Sequence, residues 1–107
     1  MPAARDPQPT YRGHRLEDGA TVVTVDGAPF WGRFSDIFDW GPASRGTSGD
    51  LALAIALLVE TVGDYQRAIR LHRGFREDVI VRLRDAWELP GRVIEDWLAS
   101  RGEAVAA

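Results

Sequence analysis

Gly41 to Ser48 read G-P-A-S-R-G-T-S and stand just before the apolar run LALAIALLV. The spacing is that of a phosphate-cradling P-loop, G-x-x-x-x-G-K-[ST], in which backbone N–H groups surround a phosphate and a lysine reaches its outer oxygens. Thr47 stands where the lysine belongs, and the chain contains no lysine at all. A working loop also needs a buried strand before it and an acidic magnesium ligand on another strand. FSDIFDW is a poor buried strand and no second βα unit follows, so the match is accidental and no nucleotide triphosphate is expected as a ligand. A weaker reading survives: free N–H groups at a helix start can hold an anion. Arg45, Thr47 and Ser48 are then the candidate loop site. The favoured alternative is a capped, close-packed start to a buried helix, and the sequence leaves open whether 41–49 binds an anion.

A second constellation is the run Arg67, Arg70, Arg73 and Arg76, at every third residue of a helix-like segment. Arginine offers a planar fork of donors that matches carboxylate and phosphate. These four are the candidate partner-binding residues, set opposite an apolar face of Tyr65, Ala68, Ile69 and His72. The bland alternative is a solvated helix face with i,i+3 and i,i+4 pairs. Of the tryptophans at 31, 40, 87 and 97, two or three are expected in the core; Trp31 is the one expected outside and joins the partner-binding candidates. His14 and His72 lack any paired-ligand spacing, so a histidine-rich zinc site is excluded, and His72 is expected to be a hydrogen-bonded, half-buried histidine. The pairs Asp36/Asp39, Glu77/Asp78 and Glu95/Asp96 are expected to be solvated charge. With no cysteine, disulfides and thiolate chemistry are out. No nucleophile, base and metal ligand can be drawn together, so no catalytic residue, cofactor or metal is expected.

The elements positioning these residues must come from one domain, because 107 residues suffice for a single core. Hydrophobic residues make up 45% of the chain, which is globular, and the net charge of −3 argues against general nucleic-acid binding. All 13 basic residues are arginine and asparagine is also missing, which reads as the codon bias of a GC-rich genome. No apolar run approaches the ~18 residues of a membrane span, and the first ten residues have no apolar stretch like that of a secretory signal. No membrane association is therefore expected, and the cytoplasm is the expected compartment.

Residues 1–10, with three prolines, read as an extended arm, 11–100 as the domain and 101–107 as a tail. Asp18-Gly19 and Asp26-Gly27 fit tight turns joining strands over Tyr11–Leu16, Thr21–Val25 and near Phe30–Trp31. Residues 32–50 read as a long irregular loop, partly anchored by Phe34, Ile37, Phe38 and Trp40. The first firm helix is Asp50–Val62, capped by Ser48, closed by Gly63 and apolar on every side, hence central. Asp64 caps a second helix running to about His72 or Arg73, with Gly74 ending or bending it. Residues 75–84 fit helix or strand, and helix is preferred. A last helix starts with Pro90 at its first position and carries Val93, Ile94, Trp97 and Leu98 on one face. The expected fold is α+β: a small antiparallel sheet from the N-terminal meander, packed on three to four helices.

The layout YRG, VTVDG, FDWG, a Gly/Ser loop, LALAIAL, WEL and VIEDWL resembles an uncharacterised domain family of bacteria, bacteriophages and haloarchaea. Its markers here are Tyr11, Gly13, Trp40, Gly41, Leu51, Ala52, Leu53, Ala54, Phe75, Trp87 and Trp97, and the loop GPASRGTSGD is longer than the family's. The resemblance implies a setting of phages and mobile elements, and no reaction. The function expected first is a non-enzymatic protein-interaction module, of the kind that binds and inhibits or adapts a host complex, anti-defence proteins included. The alternative is a nucleic-acid-associated protein using the arginine stripe. An enzyme ranks third.

Overall fold

The computed structural model describes residues 9–103, except for the side chains of 33–35. Most of the expected arm (1–8), the end of the expected tail (104–107) and the side chain of Phe34 lie outside the described residues. In chain order come strands β1 (Thr10–Arg15), β2 (Thr21–Val25) and β3 (Ala28–Pro29), helices α1 (Ser48–Val62) and α2 (Tyr65–Asp78), strand β4 (Ala86–Pro90) and helix α3 (Gly91–Ser100). Short 3-10 turns fill Gly32–Ile37, Pro42–Ser44 and Ile80–Arg82. The fold is α+β, with an antiparallel sheet in the order β3-β2-β1-β4.

Both Asp-Gly turns form. Asp26 and Gly27 have φ of +50° and +87°, the left-handed pair that a two-residue hairpin loop requires. At the other end of β2, Gly19 at φ +90° follows a turn closed by its N–H donating to the Leu16 carbonyl at 2.9 Å. The third strand falls at Ala28–Pro29, two residues before its expected place, because the tight turn puts Ala28 directly opposite Val25.

Strand β4 has no counterpart in the sequence reading. Its apolar alternation is short and ends in proline, so the strand exists through its partner: Gly13 of β1 lies opposite Trp87, and a Cβ on Gly13 would stand 2.4 Å from the Trp87 ring. Glycine makes room there for the indole to cross its neighbour strand. Pro90, the last residue of β4, precedes α3, which begins at Gly91.

Thr47 caps α1, its hydroxyl accepting from the Asp50 N–H at 3.4 Å; Ser48, the expected cap, is the first helical residue. Gly63 ends the helix at φ +71°. Leu53, Leu57 and Leu58 are fully buried, but Ile55 is half-buried and Leu51 exposed, so one edge of α1 is less covered than its composition suggests. One hydrophobic core joins these leucines to Tyr11, Val23, Trp87 and Leu89 of the sheet, Phe75 of α2 and Ile94 and Leu98 of α3.

Helix α2 runs through Gly74 to Asp78, so residues 75–78 are helix and Ile80–Arg82 a 3-10 turn; neither is strand. Gly74 neither ends nor breaks the helix, and an added Cβ would lie 3.3–3.4 Å from Arg101 and Trp97. Across that close approach Trp97 packs edge-on against Phe75 at 5.1 Å, while its N–H and the Arg101 guanidinium both donate to Asp78, at 2.8 and 2.6 Å.

Candidate functional site

Asp64 starts α2 by accepting from the N–H groups of Gln66 and Arg67 at 2.9 and 3.3 Å. The face it sends inward is Ala68, His72 and Phe75. Tyr65, expected on the apolar face, is 57% exposed, because the helix is phased on Phe75 one turn beyond the segment read from sequence. His72 is hydrogen-bonded as expected, with Nδ1 at 2.6 Å from the Ile69 carbonyl, but it is buried rather than half-buried. Residues three apart on a helix step back by roughly 60°, so four of them cover about half the circumference. Arg67 and Arg76 therefore flank the inward face on opposite sides, and Arg70 and Arg73 lie exposed between them.

Two carboxylates organise this surface. Glu103 is placed by its own N–H, which donates to the Leu98 carbonyl at 2.9 Å. It accepts from Arg67 at 2.9 Å and from Arg70 at 3.3 Å. The hydrogen bonds from Arg67, then Arg70, hold its carboxyl below the usual glutamate range. At the other end Glu77 accepts from Arg45 at 2.5 Å and Arg76 at 3.3 Å. Each cluster sets two guanidiniums on one carboxylate and keeps a positive charge in excess. Arg73 stands between them and makes no ion pair among the described residues. The structure thus joins Arg45 of the loop to the stripe. Trp31 is held elsewhere: it is 39% exposed, packs on Phe30, and its N–H donates to Glu60 of α1 at 3.3 Å.

The rest of the loop site is not gathered around a free anion-binding pocket. The Gly46 N–H donates to Asp50 Oδ2 at 3.0 Å, and Asp50 is fully buried while its Oδ1 has no partner among the described residues. Burial pushes this carboxyl up, against the smaller pull of the Gly46 N–H and the Arg76 charge. The chain's own carboxylate thus takes up a backbone donor of the loop. Ser48 is exposed, and Thr47 is spent on the cap.

A feature invisible in the sequence lies beside this loop, where Gly41–Ser44 and Thr47 face residues 81–85 across a cleft of about 760 Å³. Its wall is built by Arg15, which donates to Asp39 at 2.9 Å, to the Trp40 carbonyl at 3.3 Å and to Asp85 at 3.4 Å, with its guanidinium 5.1 Å from the Trp40 ring centroid. Arg15, Asp39 and Asp85 belong to segments far apart in the chain, and no local pattern marks them. Glu77 and Asp78, expected as solvated charge, are both engaged in ion pairs, and Asp39 is tied to Arg15. Among the described residues no cluster of three His, Asp or Glu side chains is placed to hold a metal ion, and no helix is long and apolar enough to cross a membrane.

These features define a small α+β domain whose distinctive surface chemistry is arginine set on in-chain carboxylates. The chain belongs to a family of unknown function, DUF6166, whose model matches residues 11–100. Comparison with curated proteins and with solved structures finds no match.

Proposed function

We propose that the chain is a non-enzymatic protein-interaction module that presents the outer face of α2 to an acidic surface of a partner protein. The observation carrying this reading is the pair of two-arginine, one-glutamate clusters, with Arg73 between them. A free arginine loses rotamer entropy when it is fixed in an interface, at about 0.5–1.5 kcal/mol per side chain. Arg67, Arg70, Arg76 and Arg45 already have part of that freedom removed by Glu103 and Glu77, and still leave charge in excess. Nucleic acid is the less favoured partner. A phosphate backbone tracks one side of a helix, whereas these arginines spread over about half its circumference and spend contacts on in-chain carboxylates. Nucleotide triphosphates have no place in this reading, since Asp50 occupies a loop donor and repels a phosphate. In the setting of phages and mobile elements implied by the sequence resemblance, such a module binds and inhibits or adapts a host complex, in the manner of an anti-defence protein.

The test is capture of partners by the tagged chain from nuclease-treated lysate of its source cells, beside the double variant Arg70→Gln with Arg73→Gln. The expected result is a stoichiometric protein that survives nuclease and falls by about tenfold or more in the variant, as loss of charge-assisted bonds dictates. Capture that disappears with nuclease assigns the surface to nucleic acid. Equal capture by the variant removes α2 from the interface.

A further inference from the structure

The cleft beside the 41–47 loop is separate from the α2 face, and its charge is unevenly committed. Of the arginines that line it, Arg15 is consumed by Asp39 and Asp85, while Arg82 and Arg84 are exposed and make no ion pair among the described residues. They sit on either side of Leu83, where the 3-10 turn Ile80–Arg82 gives way to extended chain. The same lining includes the apolar side chains of Trp40, Pro42, Val81 and Leu83. Trp40 is 1% exposed, and its indole N–H has no acceptor among the described residues.

We propose that this cleft is a binding site for a carboxylate carried on an apolar body, with the acid group held by Arg82 and Arg84 and the hydrocarbon part against Trp40, Val81 and Leu83. The guanidinium fork matches a carboxylate in two parallel hydrogen bonds. The lining holds three arginines and two aspartates, so one negative charge balances it, and a phosphate dianion would overbalance it beside Asp39 and Asp85. Trp40 lines the same cleft, so a ligand seated there changes the surroundings of its indole. A cleft of about 760 Å³ is within the range that accommodates small ligands or a short run of side chains. The acid has two possible sources: a free small molecule, or a glutamate or aspartate side chain of a partner protein, the second resting on the interaction-module reading.

The indole N–H signals of the four tryptophans give a direct readout in ¹H–¹⁵N spectra of the full chain. Three probes are titrated: 3-phenylpropionate, a capped peptide with one glutamate between two leucines, and inorganic phosphate. The expected result is a saturable shift of the Trp40 signal by one or both carboxylates, with a Kd of about a millimolar. The double variant Arg82→Gln with Arg84→Gln, both exposed positions, weakens it by about tenfold or more. A response to the peptide alone assigns the site to a partner's side chain, and a response to the free acid assigns it to a small molecule. The proposal is overturned if neither carboxylate moves Trp40 saturably, if the variant responds like the parent, if the glutamine version of the peptide binds as well, or if phosphate binds more tightly. Because the titration needs no lysate, its outcome is independent of whether α2 captures a protein.

Discussion

Asp50 shows how one side chain settles the character of a loop. Its carboxylate sits among the first residues of α1, where the helix dipole favours negative charge, and it takes the Gly46 N–H while its other oxygen has no partner among the described residues. Desolvation outweighs the favourable contacts, so the folded-state pKa is raised above the unfolded value. The sign of the pH effect follows by linkage: between the two values the native state binds more protons, and stability falls as pH rises through that window. Asparagine at this position does not titrate. The parent should therefore gain stability relative to Asp50→Asn as the pH is lowered from 7 to about 4, where carboxylates protonate. Urea midpoints of both proteins at the two pH values check this. A parent that loses ground toward acid would mean that Arg76 and the helix terminus hold the charge better than burial penalises it.

At the scale of elements, α1 is the piece on which both layers rest. Leu53, Leu57 and Leu58 are fully buried in the core shared by the sheet, α2 and α3. Leu57→Ala removes a side chain from the middle of that core and should cost about 2–5 kcal/mol, the range for large-to-small changes at sites that cannot collapse. That is a large share of the 5–15 kcal/mol typical of a domain. The measurement is the shift of the denaturant midpoint at unchanged slope. A midpoint like the parent's would remove α1 from the centre of the fold. Much of this was legible in the sequence: the run LALAIALLV is too apolar for a surface helix, and Gly63 and Asp64 punctuate it as a left-handed end and a new cap. The partial cover of Ile55 and the exposure of Leu51 are not legible there, because composition marks a helix as apolar without saying how wide its cover is.

For the whole molecule, the carboxylates that close the structure differ from the one that starts α1. Trp97, then Arg101, hydrogen-bond Asp78 and hold it below the usual aspartate range, and Glu103 is held down by Arg67 and Arg70. A depressed folded-state pKa contributes stability above the unfolded value, lost as pH falls through the folded one. Both groups tie α3 and the residues after it to α2, whereas Asp50 is relieved by acid. Below about pH 4, where model carboxylates titrate, the seam between α2 and α3 should therefore loosen before the start of α1. Hydrogen-exchange protection factors measured down that pH range should fall first for α3 amides and the Trp97 indole. Earlier loss at Ser48–Leu53 would contradict the assignment.

Near neighbours in the chain settle the two Asp-Gly turns, the cap at Asp64, the close of α1 at Gly63, the α+β class and the presence of arginines every three residues. Such features are decided by hydrogen bonds and φ preferences within a few residues, so composition and spacing encode them. Tertiary structure alone decided the rest. AWELP becomes a strand because β1 lies beside it and Gly13 leaves space for Trp87. The stripe becomes an organised surface because Glu103, 36 residues from Arg67, folds back onto α2, and because Arg45 reaches Glu77 from the loop. The cleft exists because Arg15 meets Asp85, 70 residues away, across the edge of the sheet. Meetings over such distances are fixed by strand register and helix packing, which no local spacing in the chain records.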